Sequence, residues 1–180
     1  MDVFSAIQSK RAIRQFEQRP LPREAVETIL NAARLAQSSK NMQAWHFIAI
    51  QSKDTLQALS KTGDFAGHLA GAALAVAIIT PDPAIRFNVM FDAGQAASYM
   101  QLAAWDIGIG SCLATIYKRD AARELLGYPE EMHIRIAISF GYPLKAQTRP
   151  AQKTGRRPFD EAVHEERWDP SKVVHNPFAV

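Results

Sequence analysis

Apolar positions fall in two rhythms along the chain, and each rhythm predicts an element type. In residues 23–36, Val26, Ile29, Leu30, Ala33 and Ala36 recur at helical spacing and predict one buried helix face, entered through the break Arg19-Pro20-Leu21-Pro22. Residues 3–9 predict a shorter helix with Phe4 and Ile7 inward, and residues 53–60 another with Leu56 and Leu59 inward. Residues 45–50, aromatic and β-branched from Trp45 to Ile50, suit a strand. Residues 74–80, LAVAIIT, are apolar throughout and suit a strand covered on both faces, ended by Pro81 and Pro83. Residues 133–140, HIRIAISF, alternate as a strand does and stop at Gly141-Tyr142-Pro143. Gly108 and Gly110 turn the chain into a further strand reaching Thr115, without the full spacing of a dinucleotide fingerprint. Residues 119–126 predict a helix closed by Gly127, with Pro129 beyond. Residues 61–71, with Gly63, Gly67 and Gly71, fit no single pattern.

Residues 91–107, FDAGQAASYMQLAAWDI, break the amphipathic rule: small side chains occupy most of the circumference and leave no polar face. Such a helix is buried on all sides, and its alanines admit close neighbours. That suits the centre of an oligomer as well as the inside of a monomer. Residues 144–157 are polar and basic, 158–168 predict a short amphipathic helix with Phe159, Val163 and Trp168 inward, and 169–180 read as an extended arm. Strands interspersed with helices indicate an α+β or α/β chain.

Composition narrows the class. With 180 residues and 47% apolar content, one domain spanning 1–180 has a sufficient core. The net charge of +3 comes from 21 Lys and Arg interleaved with 18 Asp and Glu, which disfavours a nucleic-acid partner. Cys112 is the single cysteine, so no intrachain disulfide forms, and a reducing compartment fits. The first residues lack a signal-peptide pattern and no stretch approaches the roughly 20 apolar residues of a membrane span, so a cytoplasmic protein with no membrane partner is expected.

Two segments stand out chemically. SKRAIRQF, residues 9–16, places Lys10, Arg11 and Arg14 within five residues. Arg forks and a Lys point charge suit a phosphate monoester, although cations at a helix C-terminus also simply answer its dipole. SSKNMQ, residues 38–43, is a polar loop between a helix and a strand, where ligand contacts often sit. No side-chain catalyst accompanies them. The five histidines, His46, His68, His133, His164 and His175, lack metal-ligand spacing, and no G-x-S-x-G occurs. Cys112 reads as a buried small hydrophobe and His46 as a structural hydrogen-bonding residue.

Together SKRAIRQF and SSKNMQAWHF resemble the two signatures of the nitroreductase family of flavin enzymes, in the same order, and GRRPFDEAVHEERW resembles its C-terminal block. The resemblance runs from Met1 to about Trp168. It implies an α+β fold, a mixed central sheet flanked by helices in an intertwined homodimer. It implies FMN as cofactor and NAD(P)H as co-substrate, with electrons passing to a nitroaromatic, quinone or similar small-molecule acceptor by a ping-pong mechanism. The flavin then carries the chemistry, which explains the missing side-chain catalyst. By the same resemblance Lys10, Arg11 and Arg156 or Arg157 hold the FMN phosphate, Arg14 lies at the pyrimidine edge of the ring, and Ser38, Ser39, Asn41 and Gln43 reach the flavin in part from the neighbouring subunit. Leu113, Ala114 and Thr115 pass the ring's N5 edge with their backbone. Ala12 departs from the family, in which many members have Ser there; its backbone N–H remains. Two other readings stand beside this one: the same fold with a specialised reaction (flavin fragmentation, dehalogenation or dehydrogenation), and a non-enzymatic polyanion-binding module.

Overall fold

The computed structural model describes residues 1–144 and 156–172, divided by their contacts into units Met1–Thr148 and Arg149–Val180. In the first unit, strands β1 (His46–Ile50), β2 (Leu74–Pro81), β3 (Gly110–Thr115) and β4 (Met132–Gly141) form one sheet in the order β1-β2-β4-β3. All three neighbouring pairs are antiparallel. Among the described residues the parallel component of the sheet is a single bridge outside the strands, Ala12 to Ser111.

The uninterrupted apolar run of β2 is explained by its place between β1 and β4 with helices on both faces. From Leu74 to Ile79 no residue is more than 2% exposed. Leu74, Val76 and Ile78 join a core with Ile29 and Ala33 of α2 (Arg23–Arg34) and Ala93, Ala96, Ala97, Met100 and Ala104 of α4 (Asn88–Asp106). Ala75, Ala77 and Ile79 join a second core with Leu56 and Leu59 of α3 (Lys53–Leu59) and Ala122 of α5 (Arg119–Leu126). Against β4 the register slips once: Ile78 faces Ile136 and Ile79 faces Ile134, leaving Arg135 as the extra residue. Gly127 ends α5 at φ 70°, a left-handed cap that suits glycine. Pro81, expected to end β2, is its last residue, at a position that needs no further ladder donor.

Two expectations about inward faces are corrected. Helix α1 (Val3–Ser9) forms where predicted, with Asp2 as N-cap accepting from the Ser5 N–H at 3.0 Å. It buries only Ala6, however, leaving Phe4 67% and Ile7 56% exposed. Helix α4 does have an open face. Its alanines Ala93, Ala96, Ala97 and Ala104 turn into the monomer, because α2 packs against them, while Phe91, Ser98 and Tyr99 are exposed.

In the second unit the helix is α6 (Phe159–Ala162), much shorter than the expected 158–168. Val163, β-branched and extended at φ −117°, ends it. Phe159 and Trp168 are exposed instead of inward, and Val163 is at the margin. The His164 ring stacks on Trp168 at 4.3 Å. The expected arm has a 3-10 turn at Pro170–Lys172; residues 173–180 lie outside the described residues.

Candidate functional site

The basic segment after α1 is laid across the edge of β3. The Ile13 N–H donates to the Ser111 carbonyl at 2.9 Å beside the Ala12–Ser111 bridge. Farther on, Phe16 bridges Pro143, and the Glu17 N–H donates to the Tyr142 carbonyl at 2.9 Å. Gly110 and Gly141 make this possible: a Cβ on Gly110 would lie 2.7 Å from Ile13, and one on Gly141 2.8 Å from Phe16. Ile13 and Phe16 thus anchor the segment, while Ala12 before them and Arg14 and Gln15 between them stay exposed.

Lys10, Arg11 and Arg14 form no ion pair with a carboxylate among the described residues. Lys10 is half-buried, and its pKa is lowered by that burial. Arg11 is turned back on α1, its Nη1 donating to the Gln8 carbonyl at 2.6 Å and the Lys10 carbonyl at 3.0 Å. That is the helix-end role of a cation. Lys10 and Arg14 flank Cys112, whose thiol pKa is raised by burial and pulled back by both cations. Cys112 is 4% exposed, as expected for a buried small hydrophobe.

β3 brings its own donors here. Leu113 is half exposed and Thr115 exposed, with Ala114 buried between them. His68 lies behind them and was missed as a site residue, since nothing in residues 61–71 singled it out. Its Nδ1 meets the Ser139 hydroxyl at 2.8 Å, and the Ser139 Oγ donates to the Cys112 carbonyl at 3.3 Å. Burial lowers the His68 pKa, the Leu113 backbone opposes that shift, and Arg14 adds to it. A neutral imidazole supporting the β3 backbone is the arrangement this burial favours. His46, expected in a structural role, is instead exposed at the start of β1. Residues 61–71, unreadable in the sequence, are fixed to the end of β3: the Tyr117 and Lys118 N–H groups both donate to the Thr62 carbonyl at 2.9 Å.

Residues 38–43 form a separate, self-bonded loop around a 3-10 turn at Ser39–Asn41. The Gln43 N–H donates to Ser38 Oγ at 2.9 Å, Gln43 Nε2 to Asn41 Oδ1 at 3.1 Å, and the Asn41 N–H to the Ser38 carbonyl at 2.9 Å. Outside the loop, the Ser39 N–H donates to the buried carboxylate of Asp92 on α4. Asp92 was also missed, although an acid within an alanine-rich helix is a signal that it has a partner. Lys10, Ala12 and Arg14 thus gather with β3 and His68, whereas Ser38, Ser39, Asn41 and Gln43 attach to α4. Arg156 and Arg157 are exposed in the second unit. Lys153, the start of the C-terminal basic group, lies outside the described residues.

The donor set fits a flavin mononucleotide: cations without carboxylate partners among the described residues suit its phosphate, and an exposed strand edge suits its ring. By contrast, a cavity of about 430 Å³ lined by Tyr117, Lys118, Arg123, Glu130 and His133 holds charges of both signs. Arg123 lies 3.6 Å from Glu130 there, and His133 3.7 Å from Asp82.

Comparison with known proteins gives the chain a family. The Nitroreductase family model matches residues 7–63 and 62–142. The chain is 32% identical over 175 residues to “Putative NADH dehydrogenase/NAD(P)H nitroreductase” of Archaeoglobus fulgidus, covering 93% of this chain and 99% of that one. It is 27% identical over 186 residues to NADPH-flavin oxidoreductase of Vibrio harveyi, covering 93% and 75%. Among solved structures, an FMN-dependent nitroreductase from Clostridium difficile has a TM-score of 0.82 at 29% identity, with 92% of this chain and 100% of that chain covered. Nitroreductase A from Vibrio parahaemolyticus shares the fold with a TM-score of 0.83 at 24% identity, covering 94% and 77%. With most of its length matched by the family model and by a relative covered almost end to end, the chain belongs to the nitroreductase family.

Proposed function

We propose that this protein is a homodimeric FMN-dependent oxidoreductase that moves electrons from NAD(P)H to an electron-poor acceptor such as a nitroaromatic or quinone. The observation that carries this reading is the cluster of Lys10 and Arg14 against β3, cations without carboxylate partners among the described residues, beside a half-open strand. Names of relatives support it, since one is an NADPH-flavin oxidoreductase and another an FMN-dependent nitroreductase. When bound, FMN would supply the redox chemistry, two-electron exchange between NAD(P)H and the acceptor. The chain's own part is to bind and orient. Lys10, Arg11 and Arg156 or Arg157 hold the phosphate; Arg14 sets a positive charge near the ring; Leu113, Ala114 and Thr115 present main chain to it. Ser38, Ser39, Asn41 and Gln43 reach the flavin, in part from the second subunit.

Arg11→Ala and Arg156→Ala are each expected to weaken FMN binding by ~1.5–3 kcal/mol, about tenfold to a hundredfold, as loss of a charge-assisted hydrogen bond requires. Titration of the apo protein with FMN measures this. Unchanged dissociation constants in both variants would reduce the two basic groups to surface charge, and would favour the polyanion-binding reading if the wild type also stays colourless.

If one place serves NAD(P)H and the acceptor in turn, double-reciprocal plots at several NAD(P)H concentrations run parallel. Intersecting lines would mean a ternary complex.

The homodimer rests on what one chain leaves uncovered: Phe4 and Ile7 on α1 and Phe91 and Tyr99 on α4 are all exposed. An apolar surface of this kind marks an interface. Phe91, 68% exposed, is the residue to change. Phe91→Glu is expected to give a folded monomer with lowered flavin content, read together by sedimentation and absorbance. A monomeric variant with wild-type FMN affinity would place the whole site inside one chain.

A further inference from the structure

We infer that Asp92 is a positioning residue for the flavin site, its buried carboxylate clamping the Ser39 amide so that residues 38–43 keep a strained, binding-ready shape. The inference rests on the proposed flavin site and extends it to a residue that touches no ligand. Asp92 is 6% exposed on α4, and both its oxygens accept from the Ser39 N–H, at 3.2 and 3.1 Å. No Lys, Arg or His lies within ion-pair distance of it among the described residues. Burying a carboxylate for one backbone donor is costly, so the contact needs a purpose beyond packing.

The loop supplies that purpose. Lys40, Asn41 and Gln43 have φ of 53°, 53° and 48°, left-handed values that side chains other than glycine adopt at a cost. Such conformations persist only where the surroundings over-determine them. The loop's remaining hydrogen bonds are internal, from Gln43 to Ser38 and Asn41, from Asn41 to Ser38, and from Met42 to Ser39. Internal bonds shape the loop but do not tie it to the fold. Apart from a weak contact of Arg86 Nη1 with the Met42 sulfur at 3.6 Å, the tie among the described residues is the Ser39–Asp92 bond. Phe91, exposed on the same helix, adjoins it in sequence, so the element that offers an apolar face to a second copy also grips the loop offered to that copy's flavin.

Three variants test the clamp, each measured as apo protein by FMN titration and by amide hydrogen exchange. Asp92→Ala should raise the FMN dissociation constant about tenfold or more, the loss of a charge-assisted hydrogen bond, and speed exchange in residues 38–43 while β2 and β4 exchange as in the wild type. Asp92→Asn keeps the shape and an acceptor oxygen and should restore most of the affinity. Ser39→Pro removes the donor from the other side. Proline suits the first position of a helical turn, and Ser38, at φ −142° and ψ 151°, already has the extended form required before it. It should reproduce the effect of Asp92→Ala, and it carries the test if Asp92→Ala fails to fold. Unchanged affinity and unchanged exchange in residues 38–43 would overturn the inference. So would faster exchange throughout the sheet, which would make Asp92 a general support of the fold. A wild type that binds no FMN would count against the proposed function alone, because exchange in the apo variants still decides the clamp.

Discussion

Glutamate in place of Ala97 is expected to leave no folded protein. Ala97 is 3% exposed and lies in the core that α4 shares with α2 and β2. The new carboxylate would have neither water nor a cation there, a loss of about 3–5 kcal/mol by comparison with buried ion pairs stripped of one partner. Its extra atoms must also displace close-packed neighbours, at about 1–3 kcal/mol more. A domain stable by roughly 5–15 kcal/mol loses much or all of its margin. Circular dichroism and thermal melting should show no cooperative transition, whereas Phe91→Glu on the opposite face should melt cooperatively. A native-like melt of the Ala97 variant would show that α4 and α2 can separate, contrary to the packing seen.

Gly63→Ala is expected to damage the fold and the proposed flavin site together. A Cβ at residue 63 would stand 2.1 Å from the Thr115 carbonyl oxygen, which is backbone and cannot swing aside. The same turn receives the Tyr117 and Lys118 N–H groups at Thr62, so relief of the clash drags the end of β3 with it. Overpacking of this kind costs about 1–3 kcal/mol, which in a domain of this size lowers Tm by roughly 2–12 °C. FMN affinity should fall in parallel, because Thr115 closes the strand proposed to face the ring. Gly67→Ala is the matched comparison, since a Cβ there meets nothing within 4 Å. Equal melting temperatures for the two variants, by scanning fluorimetry, would remove the case for a tight turn against β3.

The sequence shows which elements exist more clearly than which way they face. The periodicity of 23–36, the apolar run of 74–80 and the alternation of 133–140 each became the predicted element, because burial in a layered fold is written directly into such spacing. Phe4, Ile7, Phe159 and Trp168 are misjudged by the same rule, since apolar side chains on short helices are inward only if something covers them. The alanines of 91–107 are compatible with two neighbours, and the choice between a second copy and α2 depends on tertiary packing that no local pattern encodes. The site shows the same division. Lys10, Arg14 and residues 38–43 were legible from composition and family resemblance. His68, Asp92 and Gly63 act through partners 53 or more residues distant in sequence, or nearly as far, and leave no local trace.

The strip from Ala12 to Phe16 has a second meaning for the molecule. A sheet that ended at β3 would offer a row of unpaired amides and carbonyls to any neighbouring chain. The Ala12–Ser111 bridge and the bond from Ile13 to Ser111 occupy part of that border, and Lys10, Arg11 and Arg14 post positive charge along it. Residues that look dedicated to an anion therefore also guard against aggregation. Trimming the N-terminus, or fusing a bulky tag close to it, would uncover an adhesive edge as well as lose a proposed cofactor contact, and poor solubility of such a derivative would follow from the sheet and not from the missing ligand.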